Sequence, residues 1–271
     1  MIIDGLTAQF PEASWINLAD FDVLVLNETS STNDDALALA GKMPGEFVVW
    51  AKNQTAGRGR EDRSWFSSEG SSLTFSVLMR PYDLEIPYLS HFTALGALAL
   101  IDLLKSEFAV DAEIKWPNDV LIRERKVCGI LSEINWSGSK VESLVMGIGI
   151  NLKSEALRNA KELRFPATSL ETEKVNIDSV LDFLENLLHS IQQRRKQLGS
   201  AQFMADWNQY LAFKGKYLPI KHYQGKTEML CPGSINSDGS LNARDQAGNW
   251  HVVQSAEFSA SSSISEASSS S

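Results

Sequence analysis

The sequence is poor in the residues that build cross-links and metal sites. Its two cysteines, Cys128 and Cys231, stand far apart, and no CxxC pair occurs. Four histidines, His91, His189, His222 and His251, are scattered without HxH or HxxxH spacing. These absences exclude a disulfide framework and a Cys/His zinc site, and they suit a reducing compartment. Positive charge is also short, with 25 Lys and Arg against 34 Asp and Glu, a net charge of −9. Wrapping nucleic acid or docking on an anionic membrane needs a basic face, so neither DNA nor a membrane is expected as a partner. No GxxxxGK[ST] stretch occurs, which excludes a Walker nucleotide loop. The longest apolar run, 92–104, is interrupted by Asp102 and is too short to span a bilayer. The opening MIIDGLTAQFPEASW carries acids and no Lys or Arg, unlike a signal peptide. A cytoplasmic location is expected.

What is present suffices for a substantial core, since 43% of the 271 residues are apolar. Residues 1–20 form a poorly defined lead-in. A strand at 23–26 precedes SSTNDDALALAGK, a helix start with Thr32 or Asn33 as N-cap and Asp34 and Asp35 in the dipole-favoured first turn. Residues 47–52 predict another strand. Leu73, Phe75, Val77 and Met79 alternate with Ser72, Thr74 and Ser76, a period of two that predicts a strand with one face on the core. Leu89, Phe92, Leu95, Leu98, Ile101 and Leu104 recur at helical spacing, predicting an amphipathic helix over 87–107. Short strands at 113–116, 119–122, 127–134 and 141–150 suggest a meander, and helices are predicted over 177–198 and 202–213. After Gly215 short strands and Gly, Pro, Asn and Asp turns predict a small all-β unit. The domains are therefore expected at 21–213 and 214–258, with the serine-rich 259–271 disordered or an addition to the chain.

Five short pieces could carry chemistry. Gln54-Thr55-Ala56-Gly57-Arg58-Gly59-Arg60 offers exposed backbone N–H groups at its glycines and planar donors for phosphate or carboxylate at its arginines, with Arg63 nearby. Alone it fits a solvated basic turn equally well. Lys115-Trp116-Pro117-Asn118-Asp119 offers hard oxygens of the kind Mg²⁺ prefers, or simply a Pro-Asn-Asp turn. Lys126, at a strand start near Gly129, could place an ammonium on an anion, or sit at a hairpin tip. In Gly147-Ile148-Gly149-Ile150-Asn151 the glycines and Asn151 share one strand face, where a flat ring could lie on the backbone and the amide could read a base edge; tight sheet packing is the alternative. Ser31-Thr32-Asn33 singly is a helix cap. Cys128 reads as an inert buried thiol.

In this order the pieces resemble the catalytic core of the biotin–protein ligase family, the biotin–[acetyl-CoA-carboxylase] ligases. That pattern runs STN, QxxGRGR, a tryptophan, KWPND, RKxxGILxE and GxGIN. It stands here as Ser31 to Asn33, Gln54 to Arg60, Trp65, Lys115 to Asp119, Arg125 to Glu133, and Gly147 to Asn151, across roughly 22–152. Asp62 stands where the family often has glycine. The residues before the core are too few for the winged helix of the family's bifunctional repressors, so a monofunctional form is expected.

The resemblance implies an α+β fold: a biotin/lipoate ligase-like catalytic domain of mixed sheet and helices, followed by a small SH3-like β-barrel. It implies ATP-dependent formation of biotinyl-5'-AMP, then transfer of biotin to a lysine of a biotin carboxyl carrier protein or domain. It places Ser31, Thr32, Asn33, Gln54, Gly57, Arg58, Gly59, Arg60, Lys126 and Gly129 around biotin. Arg58, Arg60, Trp65, Asn118, Lys126 and Asn151 go to ATP or the adenylate. Arg60, Lys126 and Lys115 are the catalytic cations, and Asp119 is offered to Mg²⁺. Mutual repulsion of Arg58, Arg60 and Arg63 is expected to disfavour a closed empty loop. A monomer or weak homodimer is expected. The alternatives are a lipoate or octanoate ligase or transferase of the same fold, and a non-catalytic biotin sensor.

Overall fold

Alternating apolar positions in the first half of the chain build a large mixed sheet. The structure, a computed structural model, describes residues 13–61, 63–157, 165–222 and 226–258. The sheet takes β1 (Ser14–Leu18), β2 (Phe21–Thr29), β3 (Phe47–Gln54), β6 (Ser72–Met79), β10 (Lys140–Asn151), β9 (Arg125–Ser137), β8 (Asp119–Ile122) and β7 (Glu113–Lys115) in that spatial order. Only the β2–β3 pair is parallel. Residues 14–18, expected to belong to a formless lead-in, are an edge strand paired with β2 from Ser14 opposite Val25 to Leu18 opposite Phe21. Residues 1–12, Asp62 and the serine-rich tail lie outside the described residues.

Among the described residues four α-helices pack around the core: α1 (Thr32–Ala40), α2 (Phe92–Phe108), α3 (Val180–Arg195) and α4 (Ala201–Gln209). A 3₁₀ segment, Ile86–His91, kinked at Tyr88 (φ −114°, ψ 20°), leads into α2. That 23-residue stretch is long and apolar enough by composition to cross a membrane, longer than the run counted from sequence. Its apolar side chains are instead packed into the main core, between Phe75, Val77, Met146 and Ile148 of the sheet and Leu184, Leu187 and Ile191 of α3. Asp102, which interrupts the run, is the ion-pair partner of Arg194 on α3, 2.6 Å from Nη2 to Oδ1. The other sheet face carries α1 over a smaller cluster of Leu24, Leu39, Phe47 and Val49. Beside α1 that face is left open, and there the pocket forms.

The C-terminal residues make a five-stranded antiparallel sheet, ordered β14 (Trp250–Val253), β13 (Leu241–Asp245), β12 (Thr227–Ile235), β11 (Leu218–His222) and β15 (Ala256–Phe258). It does not hang free. Its Leu218, Ile220, Leu241 and Phe258 belong to the same buried cluster as α2. The 235–240 turn is bonded at several points: Trp116 Nε1 donates to Gly239 O at 3.0 Å, Ser90 Oγ to Asp238 O at 2.9 Å, and Ile235 N to Asn208 Oδ1 at 2.8 Å. Deleting residues 214–258 is therefore expected to abolish the cooperative melting transition of the whole chain, because it exposes the flank of a shared core. Calorimetry checks this, and a truncated chain that melts like the intact one would show two independent bodies.

Candidate active site

The pocket floor is set by strand register. On β10, Gly147, Gly149 and Asn151 stand opposite Ser76, Thr74 and Ser72 of β6, while Leu131 and Gly129 of β9 flank the same glycines. Side chains of one parity share a face. The alternation in β6 predicts one buried face, yet the structure buries both: Ser72, Thr74 and Ser76 are 6%, 2% and 0% exposed. A cavity of about 410 Å³ opens over this floor, a size typical of small-molecule sites. Every residue singled out from sequence for biotin, nucleotide or metal borders it except Gly57.

The two floor glycines make room for the chain's own side chains. A Cβ on Gly147 would fall 2.1 Å from Asn33 Oδ1, and one on Gly149 would fall 2.3 Å from Trp65 Cε2. The flat ring expected on this face is thus the indole of Trp65, whose Nε1 is buried without a hydrogen-bond partner. It stands mid-floor, with Asn33 toward one end and Asn151 toward the other. The loop that brings it there is a small hairpin, β4 (Gly57–Arg58) against β5 (Ser64–Trp65), closed by Gly59 N donating to Arg63 O at 2.6 Å. Gly57 lies behind the wall: a Cβ there would meet Trp65 O at 2.5 Å and Gln54 Nε2 at 2.7 Å.

The ring-sized end is lined with hydroxyls and amides. Ser31, rather than Thr32 or Asn33, is the N-cap of α1, its extended backbone (φ −158°, ψ 123°) letting Oγ accept from Asp34 N. Thr32 N donates to Gln54 Oε1 at 2.8 Å, and Thr32 Oγ1 lies 3.0 Å from the same oxygen. Asn33 Nδ2 donates to Glu133 Oε2 at 2.6 Å and to Leu131 O at 3.3 Å. Ser76 Oγ lies 2.6 Å from Asn33 Oδ1 and 2.7 Å from Thr32 Oγ1.

Cations line the opposite wall. Asp119, 4% exposed, receives Lys115 Nζ on Oδ2 at 2.5 Å and Lys126 Nζ on Oδ1 at 2.6 Å, the second an ion-pair contact rather than an aligned hydrogen bond. Burial by itself would raise the Asp119 carboxyl, but the two ammonium groups outweigh it and hold it well below the usual carboxylate range. Burial pushes Lys115 down, against the pull of Asp119. Lys115 also lies 4.9 Å from the ring centre of Phe165, and Lys126 5.6 Å from that of Trp65. Gly129 leaves space for the Lys126 ammonium, since a Cβ there would sit 3.0 Å from Nζ. Cys128, alongside, is buried and its thiol is pushed up by that burial, as expected of an inert residue.

Asp119 does not fit the magnesium role offered from sequence. Both its oxygens face ammonium groups, and among the described residues no three His, Cys, Asp or Glu side chains are grouped to hold a metal. Of the three loop arginines expected to repel one another, Arg58 is paired, while burial and Arg63 both act against the charge of Arg60. Arg58 Nη2 lies 2.6 Å from Asp34 Oδ1 and 2.8 Å from Glu133 Oε2, so two carboxylates offset its charge at the rim. Arg60 Nη2 donates to Ser255 Oγ at 3.1 Å, tying the loop to the C-terminal sheet. Asn118 and Asn151 are partly committed: Asn118 Nδ2 donates to Ile130 O and Asn151 Nδ2 to Thr168 O, each at 3.0 Å, leaving their Oδ1 atoms for a ligand. Sequence reasoning assigned no part in the site to Ser76, Glu133, Asp34 or Phe165. Glu133 closes a motif and Ser76 sits in the polar half of an alternation, but only the fold brings them against Asn33, Thr32 and Arg58 of the pocket lining.

Such a site presents hydroxyls and amides at one end of a small-molecule cavity and cationic side chains at the other. Residues 25–151 match the sequence profile of the biotin/lipoate A/B protein ligase family. Over 239 residues the chain is 34% identical to the biotin–[acetyl-CoA-carboxylase] ligase of Paracoccus denitrificans, covering 86% of this chain and 98% of that one. Over 142 residues it is 39% identical to the bifunctional ligase/repressor BirA of Bacillus spizizenii, covering 52% of this chain and 43% of that longer protein. The chain therefore matches less than half of that relative's length. The biotin protein ligase of Aquifex aeolicus, solved with biotin and ATP, superposes with a TM-score of 0.70 at 26% identity, over 88% of this chain and 97% of that one. The chain belongs to the biotin protein ligase family.

Proposed function

We propose that this chain is a biotin–protein ligase. The biotin carboxylate attacks the α-phosphorus of ATP and pyrophosphate leaves. A neutral lysine amine of a biotin carboxyl carrier protein or domain then attacks the carbonyl of biotinyl-5'-AMP; AMP leaves and the amine gives up a proton. The observation that carries this reading is the Lys115–Asp119–Lys126 cluster beside Arg60, facing a hydroxyl-and-amide end across one cavity.

Both reactants of the first step are anions, so positive charge and alignment do most of the work. Lys126 and Arg60 take the carboxylate and α-phosphate, with Lys115 behind them holding Asp119. Ser31, Thr32 and Gln54 take the ureido ring, with Asn33 holding Thr32 and Ser76 in place, and the backbone of Arg58 and Gly59, with Gly129, borders the biotin body. Trp65, lying on Gly149, divides the ring end from the nucleotide end, where the free oxygens of Asn118 and Asn151 face adenine. Arg58 leaves its carboxylates when the ligand's anion arrives. No step depends on a metal held by protein side chains. The polar ring end favours a ureido ring over the dithiolane of lipoate, and the intact cation wall favours a ligase over a passive sensor. The C-terminal sheet is read as an SH3-like unit that seats the Arg60 loop through Ser255.

Incubation with ATP, Mg²⁺, biotin and a biotin carboxyl carrier domain, followed by mass spectrometry, tests this. One biotinyl addition on one carrier lysine, dependent on ATP, is expected. Labelling with lipoate in preference to biotin, or binding without turnover, would replace the reading by one of its rivals.

A further inference from the structure

We propose that Ser76 and Glu133 are positioning residues that set the hydrogen-bond polarity of the ring end, and thereby select a cyclic urea over a ring lacking N–H and carbonyl groups. This rests on the function proposed above and deepens it.

The polarity follows from which atoms can only donate and which can only accept. The backbone N–H of Thr32 can only donate, so the Gln54 amide atom 2.8 Å from it is oxygen. Gln54 Nε2 is left as a donor, beside Gly57. Glu133 Oε2 and Leu131 O can only accept, so the Asn33 group that meets them is NH₂. Asn33 Oδ1 then faces Ser76 Oγ at 2.6 Å. Ser76 has a single hydroxyl proton, and Asn33 Oδ1 has none to give, so Ser76 donates there. Toward Thr32 Oγ1, 2.7 Å away, Ser76 offers only lone pairs. The Thr32 proton is thus held inside, on Ser76 Oγ or on Gln54 Oε1.

Of the atoms in this network two remain for the ligand, an acceptor at Thr32 Oγ1 and a donor at Gln54 Nε2, beside the Ser31 hydroxyl, which accepts from Asp34 N and keeps its own proton to donate. Side by side they complement the N–H and C=O of a urea. Thr32, Gln54 and Ser76 are 3%, 9% and 0% exposed, so little water can stand in for a missing partner. The chain of constraint starts from the negative charge of Glu133 at the rim, where it also pairs with Arg58. Without that charge only the longer 3.3 Å contact to Leu131 O holds the Asn33 amide, and the preference for the orientation that receives the Ser76 proton weakens.

The experiment uses the full chain with Ser76→Ala, Glu133→Gln and the double variant, measuring kcat and KM for biotinyl-AMP formation and for lipoate. Each single change is expected to raise KM for biotin roughly ten- to hundred-fold with kcat within about threefold. Each should lower the preference for biotin over lipoate by a similar factor. The double variant should be little worse than either single one, because both act through Asn33. Unchanged preference, equal losses for both acids, or losses that multiply would overturn the proposal. If Ser76→Ala does not fold, the rim variant Glu133→Gln decides by the same criteria. A wild-type chain that makes no biotinyl-AMP takes both proposals down; one that makes it, with both variants unchanged, overturns this one alone.

Discussion

Replacing Lys126 with alanine is expected to slow biotinyl-AMP formation by about two to three orders of magnitude while the chain stays folded. The side chain is 23% exposed and ends at the pocket wall, so its loss removes charge from the site rather than packing from the core. Asp119 keeps Lys115 at 2.5 Å, so no carboxylate is left buried alone. The cost therefore falls on the transition state, where charge on the α-phosphate grows, at about 1.4 kcal/mol per tenfold of rate. The melting temperature should move by only a few degrees. Single-turnover assays beside melting curves make the comparison, and wild-type adenylation in the variant would remove Lys126 from its assigned role.

Asp119→Ala is expected to do the reverse and to damage the fold first. Removing the carboxylate leaves Lys115, 5% exposed, without a counter-ion and near the ammonium of Lys126. Breaking a buried pair in this way costs about 3–5 kcal/mol. The sign of the pH effect follows. Burial already pushes Lys115 down, and loss of Asp119 deepens this. In the variant the unfolded chain then binds a proton that the folded chain sheds, so stability should rise as pH is raised from neutral toward the ordinary lysine range. Wild type should show less of this gain, because Asp119 opposes the downward push of burial on Lys115. Urea melts at several pH values test both points. A variant with wild-type stability but a weakened Mg²⁺ requirement would instead restore Asp119 as a metal partner.

The distance between these two outcomes shows what the sequence could and could not convey. Lys115, Asp119 and Lys126 are visible in KWPND and RKxxG, and their nearness to an anion site is legible there. That Asp119 sits between two ammonium groups depends on β7, β8 and β9 lying side by side, which no spacing announces. The same holds for the glycines. Their shared strand face is readable from parity, but the groups they admit, Asn33 and Trp65, come from distant parts of the chain.

By itself the sequence determined the periodic elements, the helix start at STN, the order of the motifs and the family they resemble. Those features are local: period two, period three to four, capping chemistry and residue identity repeat along the chain and need no partner to be read. Only the tertiary structure decided that β1 is an edge strand, that both faces of β6 are buried, that Arg58 rests on Asp34 and Glu133, and that Asn33 takes its orientation from Glu133, 100 residues away. Each of these depends on which side chain fills a given space and which atom can only donate or only accept there. Hydrogen-bond polarity and ion pairing are properties of contacts, and these contacts exist only once the sheet has brought distant strands into register.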